Sequence, residues 1–336
     1  MVIADGGEVV ERVAFGTTRS HPAGSGVPVA MDTLYDAASV TKPTATVASL
    51  MKLVAAGTVS LDDPVRRWIP ELAGDGTDRI RVRDLLCHAS GLPAHIKFYE
   101  RILAGETEPG EHPRDATLRM VAATPLEYEP RSQSVYSDLG FILLGFIVER
   151  AAGDRLDRVA QRLVFDPVGM PHTRFVDLDR PERPDAAATE DCPYRGFVVG
   201  EVHDQNTHAA GGILGHAGMF TVADDLSRFA SAIVDATAGF DRAVIDAFLE
   251  PCGVPGSTWR HGWDSPSTTP GESQAGELWS RDGFGHCGFT GTSLWIDPAR
   301  RRHAVILTNS IHPVVQRPVT KAFRRAMHDA ITTMLS

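Results

Sequence analysis

Cysteine is scarce in this chain, and its few copies stand far apart. Cys87, Cys192, Cys252 and Cys287 are the four in 336 residues. None forms a C-x-x-C pair, so the spacing suggests neither a disulfide framework nor a structural zinc site, and reduced thiols suit a cytosolic protein. Basic charge is in short supply too: 33 Lys and Arg stand against 43 Asp and Glu, a formal net charge of -10. A surface of that sign repels phosphate, which argues against nucleic acid and against an anionic membrane as main partner. Long apolar runs are missing. The most apolar stretch, residues 139–148, is about ten residues, against the roughly 20 needed to span a bilayer. Met1-Val2-Ile3-Ala4-Asp5-Gly6-Gly7 carries no basic leader and no apolar segment, so a signal peptide is not expected and a cytoplasmic location is.

What is present is an ordinary globular composition, 43% hydrophobic and 23% charged, in a chain long enough for one large domain with an insertion. Val2 to Ala4 and Val9 to Phe15 flank Asp5-Gly6-Gly7 as a hairpin. Thr292 to Ile296 and His303 to Leu307 form a second hairpin around Asp297-Pro298. Between them lie helical patterns, the most apolar over residues 141–152, which predicts a buried helix. Asp154 is the expected cap of the helix after it. The Pro-, Gly-, Asp- and His-rich residues 171–218 show little periodicity, and so long an irregular segment is expected to wrap a site. The final segment places Val315, Val319, Phe323, Met327, Ile331 and Leu335 at four-residue steps, with Arg317, Lys321, Arg324 and Arg325 expected mostly outward on a solvated face. These patterns predict an α/β sheet domain built from both termini, about residues 1–58 and 253–336, interrupted by a helical insertion over about 59–252.

Chemistry concentrates at Ala38-Ser39-Val40-Thr41-Lys42-Pro43. On a helix Ser39 and Lys42 lie one turn apart on the same face, where the amine can take the hydroxyl proton. Val47, Leu50, Met51 and Val54 give the helical spacing, Pro43 falls in or near the first turn, and Gly57 gives a stop. Such a pair also needs an acid and oxyanion donors. Tyr136-Ser137-Asp138, just before the apolar helix, offers a phenol; His286-Cys287-Gly288-Phe289-Thr290-Gly291 offers a strand whose glycines allow close approach to a substrate. His286 and Cys287 are adjacent on that strand, so they cannot both face Ser39.

Taken together, Ser39-x-x-Lys42, Tyr136-Ser137-Asp138 and His286-Cys287-Gly288 resemble the three motifs of the serine beta-lactamase and penicillin-binding-protein superfamily, in the branch of class C beta-lactamases and related esterases. The likeness extends to Leu85-Leu86-Cys87-His88-Ala89-Ser90-Gly91-Leu92-Pro93 and Gly215-His216-Ala217-Gly218-Met219-Phe220, and covers the whole chain. The resemblance implies a three-layer α/β/α sandwich with a mainly antiparallel sheet plus an all-helical subdomain, the site lying between them. It implies Ser39 as acylated nucleophile, Lys42 as base and Tyr136 as proton donor to the leaving group. The backbone N–H groups of Ser39 and Phe289 would form the oxyanion hole. His286 would tune Tyr136 or position a substrate carboxylate, beside substrate-binding Asp138, Cys287 and Gly288.

Two departures bear on substrate. Asp138 stands where lactamases and peptidases usually carry asparagine, and its charge would raise the Lys42 pKa if the two meet. Cys287 replaces a threonine, removing a hydroxyl donor. Both favour a small ester or amide over a penicillin, so the expected activity is that of a carboxylesterase. Beta-lactamase, D-amino-acid peptidase and acyltransferase chemistry remain alternatives, as does a non-catalytic ligand binder. Histidine at 286 predicts activity rising with pH through a group at roughly 6 to 8. No cofactor is implied. His203, Asp204, His208 and His216 raise a metal-hydrolase alternative but lack the helical pairing of zinc hydrolases. His88 and Ser90 read as a turn.

Overall fold

The two ends of the chain meet in one sheet. The structure, a computed structural model, describes residues 1–192 and 195–336. Strands β1 (Val2–Asp5) and β2 (Glu8–Arg12) form the expected hairpin, β9 (Ser293–Asp297) and β10 (Arg302–Ile306) the second. With β8 (Phe284–Cys287) they make a five-stranded antiparallel sheet in the order β2-β1-β10-β9-β8. Register assigns every side chain to a face. Val2 pairs with Val305, Val305 with Leu294 and Leu294 with His286, so these four share the inner face. Ile3, Ala304 and Trp295 alternate to the other, and Cys287 packs with them.

A helix covers each face, giving three layers. Helix α10 (Ala223–Asp235) packs on β1 and β10, and α12 (Arg317–Met334) lies over Ile3, Trp295 and Ile306 through Met327, Ile331 and Leu335. The inward stripe of α12 differs from the four-residue series read in the sequence. Thr320, Arg324, His328 and Ile331 are buried, while Val319 and Phe323 are exposed. Arg324 is drawn in because its guanidinium donates to the Gly288 carbonyl at 2.8 Å, a polar partner that apolar periodicity does not register.

The remaining helices gather around α6 (Asp138–Ala152), buried from Leu139 to Val148 and started by Ser137, whose Oγ accepts the Gly140 N–H. Helices α1 (Ala48–Ala55), α2 (Val65–Trp68), α3 (Val82–Leu86), α5 (Pro113–Ala122) and α7 (Leu156–Ala160) pack on it. Asp154 does not cap α7. The free Leu156 N–H is taken instead by Glu149 Oε1 at 2.7 Å, reaching forward from the end of α6. The irregular segment is less bare than its composition suggests: it holds α9 (Gln205–Ala209) and β4 (Arg174–Phe175), and β4 pairs with β7 (Met219–Thr221) just past its end, which pairs in turn with β3 (Tyr35–Asp36) in the order β3-β7-β4.

The cysteine reading needs correction. Cys87 and Cys252, 165 residues apart, are joined in a disulfide with Cα atoms 5.7 Å apart. Spacing along the chain conceals this, because the turn after α3 and the loop after α11 (Arg242–Leu249) meet only in three dimensions. Cys192 and Cys287 are free.

Candidate active site

Ser39 follows a strained residue. Ala38 has φ +47°, in the left-handed region that costs a non-glycine of order 1 kcal/mol, and Asp36 Oδ1 holds its N–H at 2.8 Å. A tight turn over Ala38–Val40 then widens into π-helical turns over Lys42–Val47 before α1 begins. This places Lys42 Nζ 3.0 Å from Ser39 Oγ, with the lysine side chain fully buried.

The β8–β9 turn comes in from the other side. Thr290 Oγ1 donates to the Asp36 carbonyl at 2.8 Å and Thr292 Oγ1 to the Ala37 carbonyl at 2.9 Å. A Cβ on Gly288 would stand 2.5 Å from the Ala37 oxygen, so only glycine permits the approach. The turn thereby carries the Phe289 backbone to the segment that begins with Ser39.

The phenol of Tyr136 stands beside Ser39 and Lys42, both of which act to lower its pKa against burial, and Lys42 Nζ lies 4.8 Å from the centre of its ring. His88, His286 and Trp259 surround that ring at centroid distances of 4.6, 6.1 and 5.4 Å. The expectation for His286 is corrected here. Burial, reinforced by the Lys42 charge, pushes it down to about 3, so it is neutral throughout the physiological range and cannot set a pH dependence near 6 to 8. Its Nδ1 meets the Cys287 carbonyl at 3.0 Å, and Cys287 points to the opposite face, where burial raises its thiol pKa. His88 is more than a turn residue. Its Nδ1 accepts the Ser137 N–H at 3.0 Å, and burial, with Lys42 and His286 adding, holds it far below its ordinary value.

Asp138 and Lys42 do meet. Nζ donates to Oδ1 at 2.8 Å. Burial alone would strip the charge from Lys42, but Asp138 and Tyr136 outweigh it and keep the ammonium protonated above its ordinary value. Burial would likewise neutralise Asp138, yet Lys42 and His95 hold it well below the carboxylate range. The third Nζ donor reaches the His216 carbonyl at 3.3 Å. That loop fits because Gly215 lies against Gly145 of α6, where a Cβ on either would meet backbone at under 3 Å.

These groups open into a cleft of about 590 Å³ lined by Ser39, Tyr136, Asp138, His95, Phe289 and Arg317 among others. The irregular segment does wrap it, contributing Glu190, His203, Asp204 and His216. Its histidines diverge onto separate carboxylates: His203 to Glu190 at 2.6 Å, His208 to Glu201 at 3.1 Å and His216 to Asp204 at 2.9 Å. No group of three His, Cys, Asp or Glu among the described residues could hold a metal ion. Trp259, His95, Asp36, Glu190 and Arg317 were missed by sequence reasoning. Arg317, which lies over the Phe289 ring at 4.5 Å, sits in a segment read only as a solvated face, and the others belong to no local motif.

The Beta-lactamase family model matches residues 1–328. The chain belongs to that family. An Escherichia coli (strain K12) protein named "Putative D-alanyl-D-alanine carboxypeptidase" is 32% identical over 346 residues, covering 95% of this chain and 79% of its own. The Bacillus subtilis (strain 168) N-acetylmuramyl-L-alanine amidase is 32% identical over 347 residues, covering 95% and 78%. Among solved structures, EstCE1, described as a hydrolase with promiscuous acyltransferase activity, superposes with a TM-score of 0.74 at 23% identity, covering 98% of this chain and 92% of that one. The protein is therefore a serine hydrolase of the beta-lactamase family with the α/β architecture of its neighbours, a family acting on ester, amide or lactam substrates. Among the described residues no helix is long and apolar enough to cross a membrane.

Proposed function

We propose that Ser39 forms an acyl-enzyme and that the protein hydrolyses small carboxylic esters or amides. The observation that carries this reading is the hydrogen-bonded contact of Ser39 Oγ with Lys42 Nζ at 3.0 Å, with Tyr136 beside it, at the floor of an open cleft. Lys42, once it has given up a proton, takes the Ser39 hydrogen as Oγ attacks the carbonyl carbon. The N–H groups of Ser39 and Phe289 stabilise the oxyanion, a contribution worth about 10²-fold or more per donor in comparable enzymes. Tyr136, kept a phenol by burial, delivers a proton to the leaving group. Water then reverses the sequence. His286 supports Tyr136 as a neutral ring.

A lactam or C-terminal carboxylate gains little from the third motif, because His286 carries no charge and Cys287 faces away. That favours a substrate recognised through its acyl part. A second reading, a peptide amide, is favoured by the names of the two relatives at 32% identity, a D-alanyl-D-alanine carboxypeptidase and an amidase.

The test is intact-protein mass spectrometry of wild type and Ser39→Ala after p-nitrophenyl esters, nitrocefin, a D-alanyl-D-alanine peptide and a fluorophosphonate. Wild type should gain one adduct that Ser39→Ala lacks, and the reagent turned over sorts ester from amide and lactam. A folded wild type that stays unlabelled by all of them overturns the proposal.

A further inference from the structure

The resting site holds one proton more than acyl transfer allows. Lys42 is an ammonium, Tyr136 a phenol and Ser39 an alcohol, so none can accept the Ser39 hydrogen until a proton has left. Lys42 spends its three donors on Ser39 Oγ, the His216 carbonyl and Asp138 Oδ1. The first is the reacting group and the second is a backbone amide, which does not pass a proton on. The third leads outward. Asp138 Oδ2 lies 3.3 Å from Nδ1 of His95, whose side chain is 44% exposed at the mouth of the same cleft.

We propose that Asp138 and His95 form the proton exit of the Ser39–Lys42 pair, with the His95 imidazole as its solvent-facing end. This rests on the acyl-Ser39 reading. One Nζ–H proton passes to Asp138, leaving Lys42 an amine. Asp138 hands a proton to His95 and is again a carboxylate, and His95 releases one to water from its other nitrogen. The site loses one proton and one positive charge, and Lys42 can then take the Ser39 hydrogen. An asparagine at 138 would break this chain, because an amide neither gains nor loses a proton near neutral pH. The departure at 138 and the presence of His95 thus form one device.

His95 is a positioning residue: it acts through Asp138 and not on substrate. The charged groups facing it are Asp138 at the start of α6, Asp204 before α9 and Lys42; Glu190 and His203, paired together, and His216, paired with Asp204, line the same cleft. The Asp138 hydrogen bond, working against burial, raises His95 above its ordinary value. Only neutral His95 can receive a proton, so kcat should fall as pH drops through that raised value.

His95→Gln and His95→Ala in the full chain, assayed with whichever ester or amide acylates Ser39, provide the test. Both should lose roughly 10-fold or more in kcat with KM unchanged, less than the ~10²-fold or greater loss of a direct proton donor. Both should lose the acid limb assigned to His95 and regain rate with added imidazole. Glutamine can still donate an amide N–H to Asp138 but neither gains nor loses a proton near neutral pH. Wild-type kcat and pH profile in His95→Gln, or a loss that imidazole does not restore, overturns the relay alone, since labelling of Ser39 still supports the nucleophile. An unlabelled wild type overturns the nucleophile reading and the relay with it.

Discussion

The cleft has two walls, and the same residue type does opposite things in them. On the side of Asp138, His95, His203 and His216 each face a carboxylate at hydrogen-bonding distance. On the side of Tyr136, His88 and His286 are buried against Trp259 and each other's neighbours and carry no charge. Lys42 stands where the walls meet and belongs to both: its charge is balanced by Asp138, and it lies over the Tyr136 and Phe141 rings. A histidine in a motif therefore says little about proton transfer until its partner is known. Asp138 beside it raises His95 above its ordinary value, whereas burial among rings keeps His88 and His286 uncharged.

Acid should separate the walls with the largest effect. His88 and His286 are neutral in the fold but regain an ordinary value near 6.5 on unfolding. Below that value the unfolded chain binds protons the fold refuses. Stability is therefore full above about pH 6.5 and is lost as pH falls toward the depressed folded values, at up to about 1.4 kcal/mol per pH unit for each such histidine. His261 and His303, pushed down to about 4 by burial, and His328, to about 3, add to the slope. Asp264, pushed up to about 6 by burial, opposes it. The carboxylates of the ionic wall act later. Asp138 and Asp204 are held below their usual range, so what they contribute is lost only as pH falls below about 4. Urea melts from pH 8 to 4 should show stability falling well before the carboxylates titrate. Equal stability at pH 7 and pH 5 would mean that the aromatic wall is not dry.

Much of this was legible in the sequence, for a physical reason. Ser39-x-x-Lys42, the Tyr136 turn and the His286 strand are local patterns whose geometry follows from helical and strand periods, and the hairpins at the two termini announced the sheet. The opposite orientation of His286 and Cys287 follows from the period of a strand alone. What was hidden depends on long-range meetings. Trp259 joins His88 from a Ser- and Gly-rich loop 171 positions away, and Cys252 finds Cys87 across 165 residues. His95 stands in a turn with no pattern of its own and acquires a partner only because the Ala94 carbonyl accepts the Asp138 N–H at 2.9 Å. The pKa of His286 was misjudged because sequence reveals a neighbour more readily than it reveals burial.

The disulfide offers the next test of the aromatic wall. It clamps the turn that carries His88 to the loop that carries Trp259, the two rings meeting edge to face with centroids 4.4 Å apart beside Tyr136. Cys252→Ser should lower the unfolding free energy by about 5 kcal/mol, as expected for opening a loop of this length. Activity at a temperature where the variant is folded should fall mainly through Tyr136, in substrates with poor leaving groups, while the labelling of Ser39 persists. Equal melting temperatures for the wild type before and after thiol reduction would show that the clamp is not formed in solution.

Asp138→Asn addresses the ionic wall and should have the smallest effect on stability. Removing one partner of a fully buried ion pair costs about 3–5 kcal/mol. Asp138 retains 18% exposure of its side chain, and the amide oxygen still accepts from Lys42, so about 2 kcal/mol is expected here. Its effect on ionisation is more telling. Without the carboxylate, burial dominates at Lys42 and its pKa falls, so the acid limb of kcat/KM should move to lower pH. In that background the His95→Gln change should add nothing, because the amide has already broken the chain between Lys42 and the cleft mouth. An unmoved pH profile would mean that the proton on Lys42 is governed by the rings of the aromatic wall and not by Asp138, which would invert the division of labour between the two walls.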